Sequence, residues 1–102
     1  VLNGHVSKIP NAAKLPHMGW NTISIMRESP ILNGVPDNAY FYFVHSYACL
    51  DVDSGFCSAV SAYGDRFVSV ASKGKVYGTQ FHPEKSGAAG LKIMANFVKV
   101  AR

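Results

Sequence analysis

A chain of 102 residues, 48 % hydrophobic and 16 % charged, has the balance of one ordinary globular domain, and no apolar run nears the roughly 20 residues that a bilayer-spanning helix needs. The net charge of +4 comes from basic residues scattered along the sequence, which argues against a nucleic-acid partner and points to none. No charged segment leads into an apolar stretch and a small-residue cleavage site, so export is not indicated and a cytoplasmic protein is expected.

The chain does not begin with methionine, and Val1-Leu2-Asn3-Gly4-His5 reads as the interior of a longer polypeptide. Residues 1 to 19 carry Pro10, Pro16 and small polar residues, which predicts an irregular connector with at most one short strand. Trp20 to Met26 alternates, predicting a strand whose inner face holds Asn21, Ile23 and Ile25. Ser29 to Asn38 contains two prolines and Gly34, so it reads as a loop with at most one helical turn around Ile31 to Asn33. Ala39 to Ala48, dense in aromatics and valine, predicts one continuous buried strand.

Phe56 to Tyr63 and Arg66 to Ser72 form two more predicted strands around the Gly64-Asp65 turn, and Lys73-Gly74-Lys75 turns into a last one, Val76 to Phe81. Arg66, Lys73 and Lys75 belong to the solvated side of that hairpin. Ser86 is placed to cap a helix running to about Ala101. Leu91, Met94, Val98 and Ala101, with Ala95 and Phe97 alongside, make an apolar stripe expected to lie on the sheet, with Met94 and Phe97 in the core. The fold class expected is α/β, with largely antiparallel strands closed by a carboxy-terminal helix, in one domain.

Chemistry concentrates in Gln80-Phe81-His82-Pro83-Glu84. Pro83 pushes His82 toward extended backbone angles, and in an extended chain residues two apart share a face, so His82 and Glu84 are expected to be neighbours. A carboxylate beside an imidazole orients the ring and stabilises its protonated form, as the third member of a catalytic triad does. Without that partnership His82 would be a buried histidine at a strand end, and Glu84 a surface carboxylate at a helix start.

Alternation in Tyr40 to Tyr47 sends Phe41, Phe43, His45 and Tyr47 to one face. The His-Ser-Tyr ending is polar for a core strand and suits a small-molecule pocket. His45 is the weaker catalytic candidate, having no carboxylate within two residues. Pro16-His17-Met18-Gly19-Trp20-Asn21 has the residue types of an interface anchor. His5, His17, His45 and His82 show no metal-ligand spacing, so no metal site is expected. Cys49 and Cys57 lack the flanking glycines of a nucleophile elbow and are expected to be reduced structural thiols.

Together, Pro16-His17-Met18-Gly19-Trp20-Asn21, Tyr40-Phe41-Tyr42-Phe43-Val44-His45-Ser46-Tyr47 and Tyr77-Gly78-Thr79-Gln80-Phe81-His82-Pro83-Glu84-Lys85-Ser86 resemble the glutaminase subunit of imidazole glycerol phosphate synthase, over nearly the whole chain. The last motif by itself indicates only the class I glutamine amidotransferases; the first two point to the histidine-biosynthesis member. The resemblance implies a mixed central sheet, His82 as general base and Glu84 as its orienting acid. It implies Ser46 and Tyr47 as glutamine-binding residues, and Trp20, Asn21 and Lys85 as facing a cyclase partner with a TIM-barrel fold. No cofactor is implied.

In that family the cysteine nucleophile and oxyanion hole lie in an upstream half that these residues do not match. The resemblance therefore implies a carboxy-terminal portion, 1–102, that does not hydrolyse glutamine by itself. Two other readings stand beside it. One is a class I glutaminase serving anthranilate, carbamoyl phosphate or guanylate synthesis; the other is a non-catalytic docking module without a nucleophile.

Overall fold

The computed structural model describes residues 4–9, 15–52, 54–73 and 76–101. Among the described residues, punctuation by glycine, proline and short polar stretches breaks the apolar sequence into eight strands: β1 Gly4–Lys8, β2 His17–Thr22, β3 Ser24–Ile25, β4 Tyr40–His45, β5 Tyr47–Val52, β6 Cys57–Tyr63, β7 Asp65–Lys73 and β8 Val76–Thr79. One helix follows, α1 Gly87–Ala101, after a single 3-10 turn at Pro83–Lys85. Every described strand pair is antiparallel: β1 with β5, β2 with β4, and the meander β3-β6-β7-β8. The fold is α/β, as expected from the sequence.

Two predicted strands are each divided. Trp20 to Met26 splits at Ile23, whose side chain is wholly buried while its N–H donates to Ala39 O, so β2 begins earlier and β3 is a two-residue continuation in another sheet. The continuous strand expected over Ala39 to Ala48 breaks at Ser46: β4 pairs with β2, and β5 turns away to pair with β1. A run of aromatics carries strand propensity but says nothing of which sheet each half joins. The β6-β7 hairpin turns at Gly64, whose φ of +78° is the left-handed conformation glycine allows. The turn expected at residues 73–75, Lys75 included, lies partly outside the described residues. The short turn expected near Ile31 is a 3-10 turn at Pro30–Leu32.

Phe41, Phe43, Phe67, Ile23 and Val70 are fully buried and share one cluster with Ile31, Phe81 and Ile93. Phe81 lies against Phe41 (4.2 Å between centroids) and edge-on to Phe43 (5.7 Å). Each such ring removes enough apolar surface from water to contribute about 1.5–3 kcal/mol. Since Phe81 precedes His82, the core anchors the candidate site directly.

The helix sits the other way from the expected one. Ile93 and Asn96 are buried, whereas Leu91, Met94, Phe97 and Val98 are exposed by 44–65 %. The reason is polar: Asn96 Nδ2 donates to Ile31 O (3.0 Å) and Asn33 O (2.7 Å), satisfying carbonyls of the short turn beneath the helix. Ser86 also departs from its expected role as a side-chain cap. Its Oγ accepts from Tyr42 N–H (2.9 Å) and donates to His82 O (2.6 Å), so it ties strand to corner and does not reach into the helix.

Candidate active site

Tyr42 is the residue on which the corner is built. Its N–H donates to Ser86 Oγ and its carbonyl accepts from His82 N–H at 2.9 Å, so the backbone of β4 is held by β2 along one edge and by the corner along the other. Behind His82, Gln80 N–H donates to Ser69 O of β7 (2.9 Å), and ahead of it Lys85 N–H donates to His82 O (3.1 Å). His82 therefore has its peptide groups bonded on both sides before its ring does anything.

The ring then meets Glu84. Nδ1 lies 3.1 Å from Glu84 Oε2, with the two side chains 40 % and 55 % exposed. A carboxylate only accepts, so Nδ1 carries the hydrogen and Nε2 presents its lone pair outward. Proximity came by a route different from strand alternation. His82 is extended (φ −100°, ψ 99°), but Pro83 opens a 3-10 turn that folds Glu84 back beneath the ring. Glu84 is held below the ordinary carboxylate range, first by its own backbone N–H, then by the hydrogen bond and charge of His82. Gly90 lets the helix approach, since a β-carbon there would overlap the carbonyl oxygen of Pro83.

Of the other expected site residues, Trp20 is 56 % exposed and Lys85 is exposed, whereas Asn21 is half-buried, its amide donating to Ala62 O (2.8 Å) and lying 3.4 Å from His17 Nε2. Trp20 and Tyr42 are directly opposed across β2-β4, and because both Tyr42 backbone groups point to the corner, this is a non-hydrogen-bonded pair whose side chains approach closely. Their rings meet edge to face at 5.9 Å. Ser46 is half-buried at the β4-β5 break, its carbonyl accepting from Ile9 N–H, and Tyr47 is 57 % exposed.

Sequence reasoning missed His17. It sits in the interface-like motif, yet it is 3 % exposed, stacked between Tyr63 (4.1 Å) and Phe43 (5.0 Å), with Nδ1 2.9 Å from His45 Nε2. Burial first, then the neighbouring His45, lowers its pKa to about 4. Burial also lowers that of His45, against the raising effect of its hydrogen bond to Tyr47 O and with the charge of His82 adding to the fall. The signal lay in register, His17 opposite His45, which appears only once β2 and β4 are paired.

The cysteines are not disulfide-bonded, and burial raises the Cys57 pKa, the opposite of an activated thiol. A cavity of about 710 Å³ between the Pro30 turn and α1 is lined by Ser29, Leu32, Val35, Asn96 and Val100, none of them part of the His82 corner.

Comparison with known proteins bears on the family to which the chain belongs. The model of glutamine amidotransferase class-I matches residues 2–101. The chain belongs to the class I glutamine amidotransferase family. Imidazole glycerol phosphate synthase subunit HisH of Methanocaldococcus jannaschii is 47 % identical over 98 % of this chain and 50 % of its own length. HisH of Aromatoleum aromaticum is 43 % identical, over 99 % of this chain and 52 % of its own. The crystal structure of a protein described as a GMP synthase subunit, from Thermoplasma acidophilum, superposes with a TM-score of 0.74 at 26 % identity, covering 96 % of this chain and 48 % of that one. The chain spans about half the length of the curated relatives it matches.

Proposed function

We propose that this chain is the part of a glutaminase that carries the general base, His82, and its orienting acid, Glu84, in an enzyme that releases ammonia from glutamine for a cyclase making imidazole glycerol phosphate. The observation that carries the reading is the 3.1 Å contact of His82 Nδ1 with Glu84 Oε2 at a corner whose backbone is bonded on both sides and whose ring remains 40 % exposed. Similarity to the HisH relatives supports the synthase assignment over the other class I glutaminases.

The nucleophile comes from outside these residues, since neither Cys49 nor Cys57 sits on a glycine-flanked elbow. The nucleophilic thiol gives its proton to His82 Nε2 and its sulfur attacks the glutamine amide carbon; Nε2 then delivers that proton to the departing nitrogen as the carbon-nitrogen bond breaks, giving ammonia and a thioester. The same nitrogen then takes a proton from water, whose oxygen attacks the thioester carbon; glutamate leaves and the thiolate returns. Glu84 stabilises the imidazolium that is present before ammonia departs and forms again as water attacks. The isolated 102-residue chain is expected to hydrolyse no glutamine.

Ser46 and Tyr47 hold the substrate in this reading, and Trp20, Asn21 and Lys85 serve the cyclase face. Trp20 touches the ring of Tyr42, and Tyr42 holds both His82 and Ser86, so pressure from a partner on Trp20 reaches the base through a single residue. The test uses a full-length glutaminase carrying this sequence as its second half. His82→Ala should lower ammonia release by about 10²–10⁴-fold, the usual contribution of a general base, while cyclase binding is retained. Unchanged ammonia release in that variant would refute the assignment.

A further inference from the structure

We infer that His17 and His45 are positioning residues: two neutral imidazoles in a one-directional chain of hydrogen bonds that runs from Asn21 on β2 to the backbone of Tyr47 and sets the place of the Ser46–Tyr47 segment. The role assigned to that segment rests on the glutaminase reading above. The chain of bonds itself rests on geometry alone.

The direction follows from one fixed end. Tyr47 O, a carbonyl, only accepts, so His45 Nδ1, 3.2 Å away, carries a hydrogen. In a neutral ring the other nitrogen is then an acceptor, and His45 Nε2 receives its hydrogen from His17 Nδ1 at 2.9 Å. His17 Nε2 is left as an acceptor and faces Asn21 Nδ2 at 3.4 Å. The Asn21 amide has the orientation this requires, because its Oδ1 accepts from Thr22 N–H (2.8 Å) and its Nδ2 also donates to Ala62 O (2.8 Å). Every ring nitrogen is thereby assigned, and both histidines take the Nδ1–H tautomer.

A proton added to either ring breaks the sequence. On His45 it would place N–H against the N–H of His17, and on His17 it would place N–H against the amide of Asn21. The surroundings favour the neutral forms. Phe43 and Tyr63 sandwich His17, and Phe67 lies 5.0 Å from His45; burial first, and then the charge of His82, oppose protonation of His45 and outweigh the opposite pull of its bond to the Tyr47 carbonyl.

The location gives the chain its use. Ser46 is where the polypeptide leaves the β2-β4 sheet for β1-β5, and two bonds hold the departure: Ile9 N–H to Ser46 O, and His45 Nδ1–H to Tyr47 O. The second is anchored through His17 to Asn21, the neighbour of exposed Trp20. A shift of the β2 edge is therefore transmitted to the Tyr47 carbonyl without passing through His82.

Two measurements decide it. Long-range proton-nitrogen correlation spectra of the full-length glutaminase at pH 7 should show His17 and His45 each with a protonated Nδ1 and an unprotonated Nε2; an Nε2–H tautomer or an imidazolium at either ring overturns the inference. In the full-length glutaminase, His45→Phe should raise the glutamine KM by about 3- to 10-fold, the factor expected for one lost hydrogen bond, with kcat little changed. His45→Gln, whose amide can both accept and donate, should recover most of that loss. A fall in kcat at constant KM, or equal defects in the two variants, overturns the positioning role. A full-length protein devoid of turnover refutes the glutaminase reading, and the spectra then still decide whether the chain of bonds exists.

Discussion

Two histidine pairings in this small fold use the same ring for opposite ends. At the corner, His82 faces a carboxylate, and both side chains are open to solvent by 40–55 %. Across the β2-β4 pair, His17 faces a second imidazole and is stacked between two aromatic rings with 3 % of its surface exposed. On the proposed reading the corner takes a proton and hands it on, with Glu84 stabilising the charged ring; the buried pair excludes the proton, because burial and a like neighbour oppose it. Residue type alone does not assign the role of a histidine; what faces its two nitrogens does.

The comparison can be broken most severely at the corner. In the full-length glutaminase, Glu84→Ala should forfeit a large part of the about 10²–10⁴-fold contribution of the base, because the ring loses the group that sets its tautomer. The unfolding midpoint of this chain in urea should not move in the same variant, since the pair is exposed. A midpoint that falls together with activity would make the pair a structural one.

Acid should expose the buried pair next. The folded pKa of His17, about 4, lies below its unfolded value of 6.5. The unfolded chain therefore binds the proton first as pH falls. The stability in question is fully present above pH 6.5 and is lost progressively down to about pH 4, by on the order of 3 kcal/mol. Urea midpoints across that range measure it, and His17→Phe should flatten the slope. A slope unchanged by His17→Phe would place the acid sensitivity elsewhere.

A smaller change sharpens the corner from the structural side. Gly90→Ala drives a methyl group into the Pro83 carbonyl, and overpacking of this kind costs about 1–3 kcal/mol. The helix must shift away from the turn that carries Glu84, so backbone chemical shifts at Pro83, Glu84 and Lys85 should change while those of His17 and His45 stay. Changes spread evenly over both regions would contradict the separation drawn between them.

The corner was legible in the sequence because its logic is local. His82 and Glu84 are two residues apart, and Pro83 restricts the backbone between them, although it does so through a tight turn and not an extended strand. The His17–His45 pair was hidden because its partners are 28 residues apart and meet only through the register of β2 on β4. The face of α1 was misjudged for a different reason. Leu91, Met94 and Val98 fit helical spacing, but so do Ile93 and Asn96, and the carbonyls of Ile31 and Asn33 called for a polar side chain at the contact. Hydrophobic periodicity cannot foresee an orphan carbonyl.

The most direct measurement is ammonia release from glutamine by the full-length His82→Ala enzyme, with and without free imidazole. The account predicts release near background, raised when imidazole fills the vacated space beside Glu84. Release at the wild-type rate without imidazole would contradict it.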